Sequence, residues 1–325
     1  MVLQKNVIAR FVSDQKLPIT IFEYPYFIYF MSLYNEDFAT WDKQKMLEET
    51  ISKYPSQDAF LEDYYKIRDN IVQTIKETDA FLDFINSQNP DFVNVKGMPA
   101  PTFGGLTEVC GVTFTKKSDV YQIPNDGKYF LSIDLRKANF QVLKNYNKDI
   151  VLGADTYEDM IAKFTDLEYI KSSKYIREVI FGCLNPARQV QMQKHFMKKI
   201  IQYLIESGKK TATDFLVFTN DEVVLAENGL IDPLECEALK QEIKEKLDLD
   251  VSVESFKLVA IGGKEYYVKE LSTGKKSFKS IPAVYYPQIY KKYYGKEVND
   301  TDLMFYFEHR LAKFFKPLFE DEEPT

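Results

Sequence analysis

Residues Tyr129 to Leu143 read YFLSIDLRKANFQVL. Tyr129, Phe130, Leu131 and Ile133 make an apolar run of strand length, rich enough to sit centrally in a sheet, and the run ends on an acid, Asp134. From Arg136 to about Tyr146 the reading changes to helix. A carboxylate at the end of a buried strand sits where a sheet meets solvent, a usual place for a ligand or metal site. The same aspartate can also serve as the N-cap of a helix starting at Leu135, and the local sequence leaves both readings open.

Two other segments belong with this one. FLVFTNDEVVL, Phe215 to Leu225, reads as two strands around a tight turn with Asp221 and Glu222 at its tip. Adjacent acids there repel each other unless a cation or a lysine neutralises them, the alternative being a simple polar turn. Between the two carboxylate segments lies a cationic helix, SKYIREVIFG, Ser173 to Gly182. Lys174, Arg177 and Phe181 are spaced three and four apart, which puts two cations and an aromatic ring on one face. Such a face suits a nucleoside triphosphate, with cations at the phosphates and the ring at the base or sugar. Solvated Lys and Arg beside a core Phe is the other reading.

The chain around these segments is punctuated clearly. Residues 1–100 look helical and aromatic, with QDAFLEDYYKIRDNIVQTIKETDAFLDFINSQ repeating apolar residues at three and four. Asn, Pro and Gly cluster near residues 88–105 and mark a boundary, after which short alternating strands lead to Asp134. The helix through Arg177 should stop near Leu184, because Asn185-Pro186 supplies an N-cap and a first-turn proline for the next helix, which Gly208 ends. DPLECEALKQEIKEKLDL then reads as a helix and VSVESFKLVAIGGKEYYVKEL as a strand pair around Gly262-Gly263.

Composition bounds the class. The 325 residues are 45% hydrophobic and 15% aromatic, ample for a packed core without disulfides. Cys110, Cys183 and Cys236 are odd in number and widely spaced, so they read as reduced thiols of a cytosolic protein. The opening MVLQKNVIAR lacks the apolar core of a secretory signal, and no apolar run is long enough for a membrane span. The net charge of -7 argues against a uniformly basic nucleic-acid binder and permits a local basic groove. Lys264 to Glu297, which interleaves Lys with Tyr and Phe, is one candidate lining, and Lys194, Lys198 and Lys199 are another. Packing of those tyrosines inward is the alternative. His195 and His309 show no metal spacing.

In order and in predicted structure, the three segments resemble the motifs of the family A DNA polymerases, the bacterial DNA polymerase I family. Asp134-Leu-Arg-Lys-Ala-Asn139 is similar to the family's Asp-Tyr-Ser-Gln-Ile-Glu. Arg177-Glu-Val-Ile-Phe181-Gly182 keeps the spacing of its Lys, three residues, Phe-Gly, and Asn220-Asp221-Glu222 matches its His-Asp-Glu. The resemblance covers roughly residues 122–265. Departures are an Arg for Lys at 177, Ser173 where the family has Arg, Asn220 for His, and room for about one helix over residues 182–220 where the family carries much longer fingers.

The resemblance implies an α+β, polymerase-like palm, an antiparallel sheet with packed helices, together with reduced fingers and an N-terminal helical region. The corresponding divisions are a thumb-like region at 1–100, palm at 101–166, reduced fingers at 167–207, palm again at 208–272 and an accessory region at 273–325. By the same resemblance Asp134 and Asp221 hold two Mg2+ or Mn2+ ions with Glu222 in support, while Lys174, Arg177 and Phe181 contact the incoming nucleotide. Asn139 and Asn185 align with the Glu and Tyr that guard the sugar 2′ position, and being smaller they imply tolerance of ribonucleotides. The implied partners are primer-template DNA or another nucleic acid and a dNTP or NTP, with no membrane, in a cytoplasmic protein whose economy suits a virus, phage or plasmid. A primase or template-independent nucleotidyltransferase is one alternative, and a non-catalytic nucleic-acid-binding protein with a decayed palm is another.

Overall fold

The structure is a computed structural model and describes residues 41–81, 83, 108–109, 112–113, 119–184, 186–307 and 310–319. The expected boundary at 88–105, together with Cys110, Asn185, His309 and the first forty residues, lies outside the described residues.

The described chain opens on helices α1 (Trp41–Ser52) and α2 (Gln57–Lys76). In α2 the apolar spacing becomes a buried stripe of Phe60, Tyr64, Ile71 and Ile75. Two short strands, β1 (Glu108–Val109) and β2 (Val112–Thr113), pair antiparallel. Strand β3 (Tyr129–Leu135) follows, then helices α3 (Ala138–Tyr146), α4 (Tyr157–Ala162), α5 (Glu168–Ser172), α6 (Lys174–Gly182) and α7 (Pro186–Glu206). The hairpin of β4 (Phe215–Phe218) and β5 (Glu222–Glu227) leads to α8 (Pro233–Leu247) and β6 (Val251–Ala260). Strands β7 (Tyr267–Leu271) and β8 (Lys276–Lys279), helix α9 (Tyr286–Tyr293) and the hairpin of β9 (Met304–Phe307) and β10 (Arg310–Lys313) complete it.

The fold is α+β: an antiparallel sheet of six strands, in the order β4-β5-β3-β6-β7-β8, with packed helices. Strand β3 takes an inner position because its side chains are apolar on both faces, with Phe130, Leu131, Ile133 and Leu135 all buried. From Tyr157 to Glu206 the chain forms four successive helices, and the breaks between them have local causes. Thr156 and Asp159 form a capping box at the start of α4, the Ser173 side chain accepts the Ile176 N–H at the start of α6, and Pro186 opens α7. Gly208, at φ 69°, follows α7 as expected.

The described residues divide into two compact units, one holding those within 61–120 and 129–256, the other 41–60, 121–128 and those within 257–319. In the first, α3, α6 and α7 pack on one another, and the rings of Phe130 and Phe256 meet at 5.5 Å. In the second, Gly262 and Gly263 both have positive φ (60° and 64°), the conformation a tight hairpin turn requires, and the Ile261 N–H donates to the Tyr266 carbonyl at 2.7 Å. A buried pair, Lys291 Nζ with Asp302 at 2.5 Å, ties α9 to the turn at residues 300–303.

Candidate functional site

The register of β3 against β5 places Asp134 opposite Glu222. Directly opposed residues of an antiparallel pair share a face, as do residues two apart on a strand. Ser132, Asp134 and Glu222 therefore share one, and the Ser132 hydroxyl donates to Glu222 Oε1 at 2.5 Å. One residue further along, the Leu135 N–H donates to the Asp221 carbonyl at 2.8 Å, so the turn bearing Asp221 is fastened to the end of β3. Thr219 closes that turn: its N–H donates to the Glu222 carbonyl (2.8 Å) and its hydroxyl accepts the Glu222 N–H (3.1 Å). Asp134 itself lies inside β3, and α3 starts only at Ala138 after Lys137 takes a left-handed conformation (φ 49°). The alternative of Asp134 as a helix cap is thus not the one the chain adopts.

Asp134, Asp221 and Glu222 are all half-buried. Burial raises the Asp221 carboxyl above its ordinary value of 3.8, the neighbouring Glu222 charge adds to the rise, and Lys174 and a Thr219 hydrogen bond act in the opposite direction. Lys174, at the N-terminus of α6, is therefore the cation whose field reaches the carboxylate turn. Its ammonium group also lies 3.5 Å from Glu178 on the exposed side of the helix.

The face of α6 that carries Lys174, Arg177 and Phe181 runs from solvent into the core. Arg177 is half-buried, with its guanidinium 5.4 Å from the centre of the Tyr157 ring. Phe181 is fully buried against the same ring, the two centroids 6.3 Å apart. The expectation of Phe181 as a base-contacting ring is corrected: a side chain enclosed by Tyr157 has no face left for a base. Asn139, on α3, accepts a hydrogen bond from Gln193 Nε2 of α7 at 2.6 Å, which fixes its side-chain oxygen. Asn185 lies outside the described residues.

Ser132, Thr219 and Gln193 are the neighbours that sequence reasoning passed over. Ser132 had a signal, being the polar residue in an apolar strand two places before Asp134, whereas the Gln193 contact depends on helix packing that no local pattern encodes. Among the described residues no three or more His, Cys, Asp or Glu side chains form a ready-made metal group. His195 is exposed, with its pKa lowered by partial desolvation and by Lys199 and Lys198. Cys183 is an exposed and Cys236 a buried free thiol.

In the other unit, the stretch Lys264 to Glu297 carries eight lysines against three glutamates, a local excess of positive charge in an acidic chain. Its tyrosines divide between the two readings. Tyr286 and Tyr290 are buried, whereas Tyr293 and Tyr294 are half-exposed with Lys276 Nζ at 5.3 and 4.7 Å from their ring centres. Among the described residues no helix is long and apolar enough to cross a membrane. No family model, no curated protein and no solved structure matches the chain.

Proposed function

We propose that the chain is a nucleotidyltransferase that extends a nucleic-acid 3′ end, built on a polymerase-like palm and served by divalent metal. The observation that carries the reading is the meeting of Asp134 and Glu222 as direct partners at one end of β3 and β5, with the Asp221 turn bonded to Leu135 beside them. Segments far apart in sequence bring their acids to one sheet end, and a half-buried group of like charges there is relieved by a cation.

Asp134 and Asp221 are the residues that would hold Mg2+ or Mn2+, with Glu222 kept in place by Ser132. Mg2+ is commonly held by one or two carboxylates, with substrate phosphates and water completing its shell. The metal, when bound, supplies a lowered pKa for an attacking 3′-hydroxyl and charge stabilisation for the departing pyrophosphate. Around that chemistry the chain's own groups divide the work. Lys174 offers a mobile cation to a triphosphate, and Arg177, braced on Tyr157, offers a fixed one. Phe181 supports the helix from within the core. Asn139, held by Gln193, leaves its amide nitrogen free of that bond, and its small size is the basis for tolerance of ribonucleotides.

The local excess of lysine from Lys264 to Glu297 favours a second reading, a non-catalytic nucleic-acid-binding protein with a decayed palm. The two part company in one assay: labelled dNTP or NTP is supplied with Mg2+ or Mn2+, with and without a primed template. The proposed activity gives metal-dependent incorporation, with rNTPs entering at rates comparable to dNTPs. Binding without turnover supports the second reading, incorporation without template supports a template-independent transferase, and strong exclusion of rNTPs defeats the role given to Asn139.

A further inference from the structure

Four lysines of the second unit rest on aromatic rings. Lys276, at the start of β8, and Lys296, just past α9, share one ring, their ammonium groups 4.7 and 5.5 Å from the centre of Tyr294. Lys264, on the turn between β6 and β7, and Lys292, on α9, share another, at 5.2 and 5.7 Å from the centre of Phe319. An ammonium group drawn to a ring keeps its charge and has N–H donors to spare, whereas one paired with a carboxylate is neutralised.

Acids do not cancel this charge. Among the described residues Lys264, Lys276 and Lys296 have no carboxylate partner: Lys264 donates to the main-chain carbonyl of Leu318 at 2.9 Å, and rings are the contacts of the other two. Of the three glutamates in the stretch, Glu270 accepts the Tyr293 hydroxyl at 2.5 Å, and Glu265 and Glu297 are exposed. Like charges gathered on shared rings repel, and an anion that spans them relieves the repulsion.

The rings beneath the lysines are occupied. Tyr294 also packs on Tyr290 (4.6 Å) and Tyr293 (4.9 Å), and Phe319 meets Tyr266 edge-on while filling the space beside Gly262. They act as posts for the cations and leave base stacking to another ring. Phe315 is fully exposed, and four residues of chain keep its backbone within about 14 Å of that of Phe319. Its neighbour Phe314 is stacked on Tyr285 (5.0 Å) and Phe305 (4.2 Å), which anchors the chain from which Phe315 projects.

The geometry points to this surface as a binding site for single-stranded nucleic acid, with Lys264, Lys276, Lys292 and Lys296 at backbone phosphates and Phe315 stacked on a base. It rests on the nucleic-acid partner common to both readings of the function, and gives that partner a place of contact in the unit that does not carry the carboxylates. A single strand supplies charge and open base faces together, whereas an acidic peptide supplies only charge. Among the described residues from 257 on, Phe315 is the only exposed large apolar side chain, less than an interfacial membrane anchor presents.

Fluorescence anisotropy of the full chain with a labelled oligothymidylate, in EDTA across a salt series, tests the site. Saturable binding below about 100 μM is expected, weakened about tenfold by Phe315→Ala, as for the loss of one stacked base. Because that ring is fully exposed, the variant should keep the wild-type melting temperature. The double variant Lys276→Gln, Lys296→Gln should lower the salt slope by about 1.4, the share of two phosphates of a single strand. Unlabelled duplex and polyglutamate should compete poorly, and phosphatidylserine vesicles should leave the strand bound. Lack of saturation, affinity unmoved by Phe315→Ala, an unchanged slope in the double variant, or displacement by duplex, polyglutamate or vesicles as effective as by unlabelled strand overturns the site. EDTA silences metal-dependent transfer, so failure of this surface appears in strand binding, whereas failure of the nucleotidyltransferase reading appears as strand binding without incorporation when metal is restored.

Discussion

Asp221 is the residue on which burial and charge act most visibly. Its carboxyl titrates above 3.8 because desolvation and Glu222 outweigh the help of Lys174 and Thr219. A group that binds its proton more tightly when folded favours folding at low pH, and that contribution is lost as pH rises from 3.8 through the raised value. Asp221→Asn removes this term. Urea denaturation at several pH values should therefore show the variant gaining on the wild type as pH rises from 4 to 7, with the two closest at the acid end. Equal pH dependence would mean that the carboxyl is not held in the desolvated setting described. A cation bound at the turn reverses the logic, since it favours the ionised form, so added Mg2+ should shrink the difference.

Helix α6 shows what a periodic pattern can and cannot convey. The spacing of Lys174, Arg177 and Phe181 was readable and is observed, but spacing names a face without saying what covers it. Tyr157, from a different helix, covers the Phe181 end and turns a possible ligand contact into core. Phe181→Ala should accordingly cost about 3–5 kcal/mol of stability, as for a large-to-small change in a packed core. Thermal or denaturant unfolding checks it, and a loss below about 1 kcal/mol would return the ring to the surface. Elsewhere the legible parts were those with local chemistry: Pro186 as a helix start and Gly262-Gly263 as a hairpin turn. The Ser132–Glu222 bond joins residues 90 apart in sequence and depends on strand register. The cleft lined by Arg136, Asp155 and Asp250 is equally non-local, drawing residues far apart in sequence to the start of α3. Neither arrangement is written in any single window.

At the scale of the whole molecule, charge is unevenly placed. The chain carries a net -7, yet the stretch from Lys264 to Glu297 is +5 from eight lysines and three glutamates. If that stretch tracks a nucleic-acid backbone, affinity falls with salt in proportion to the phosphates neutralised. Lys275 and Lys296 are exposed. Replacing each by Gln should lower the salt slope for a single strand by about 0.7, measured by fluorescence anisotropy across a salt series. An unchanged slope in both variants would place the binding surface elsewhere on the chain.

What joins these scales is the claim that Asp134 and Asp221 act together on metal at one end of the sheet. Single-nucleotide addition to a primed template in Mn2+ should be measured for the wild type, Asp134→Ala and Asp221→Ala, each shown to be folded by circular dichroism. Metal-dependent addition by the wild type is expected, falling more than about a hundredfold in either variant, since even outer-shell partners of a metal site are worth up to that factor. Metal-dependent addition that persists in both variants at close to the wild-type rate would contradict it.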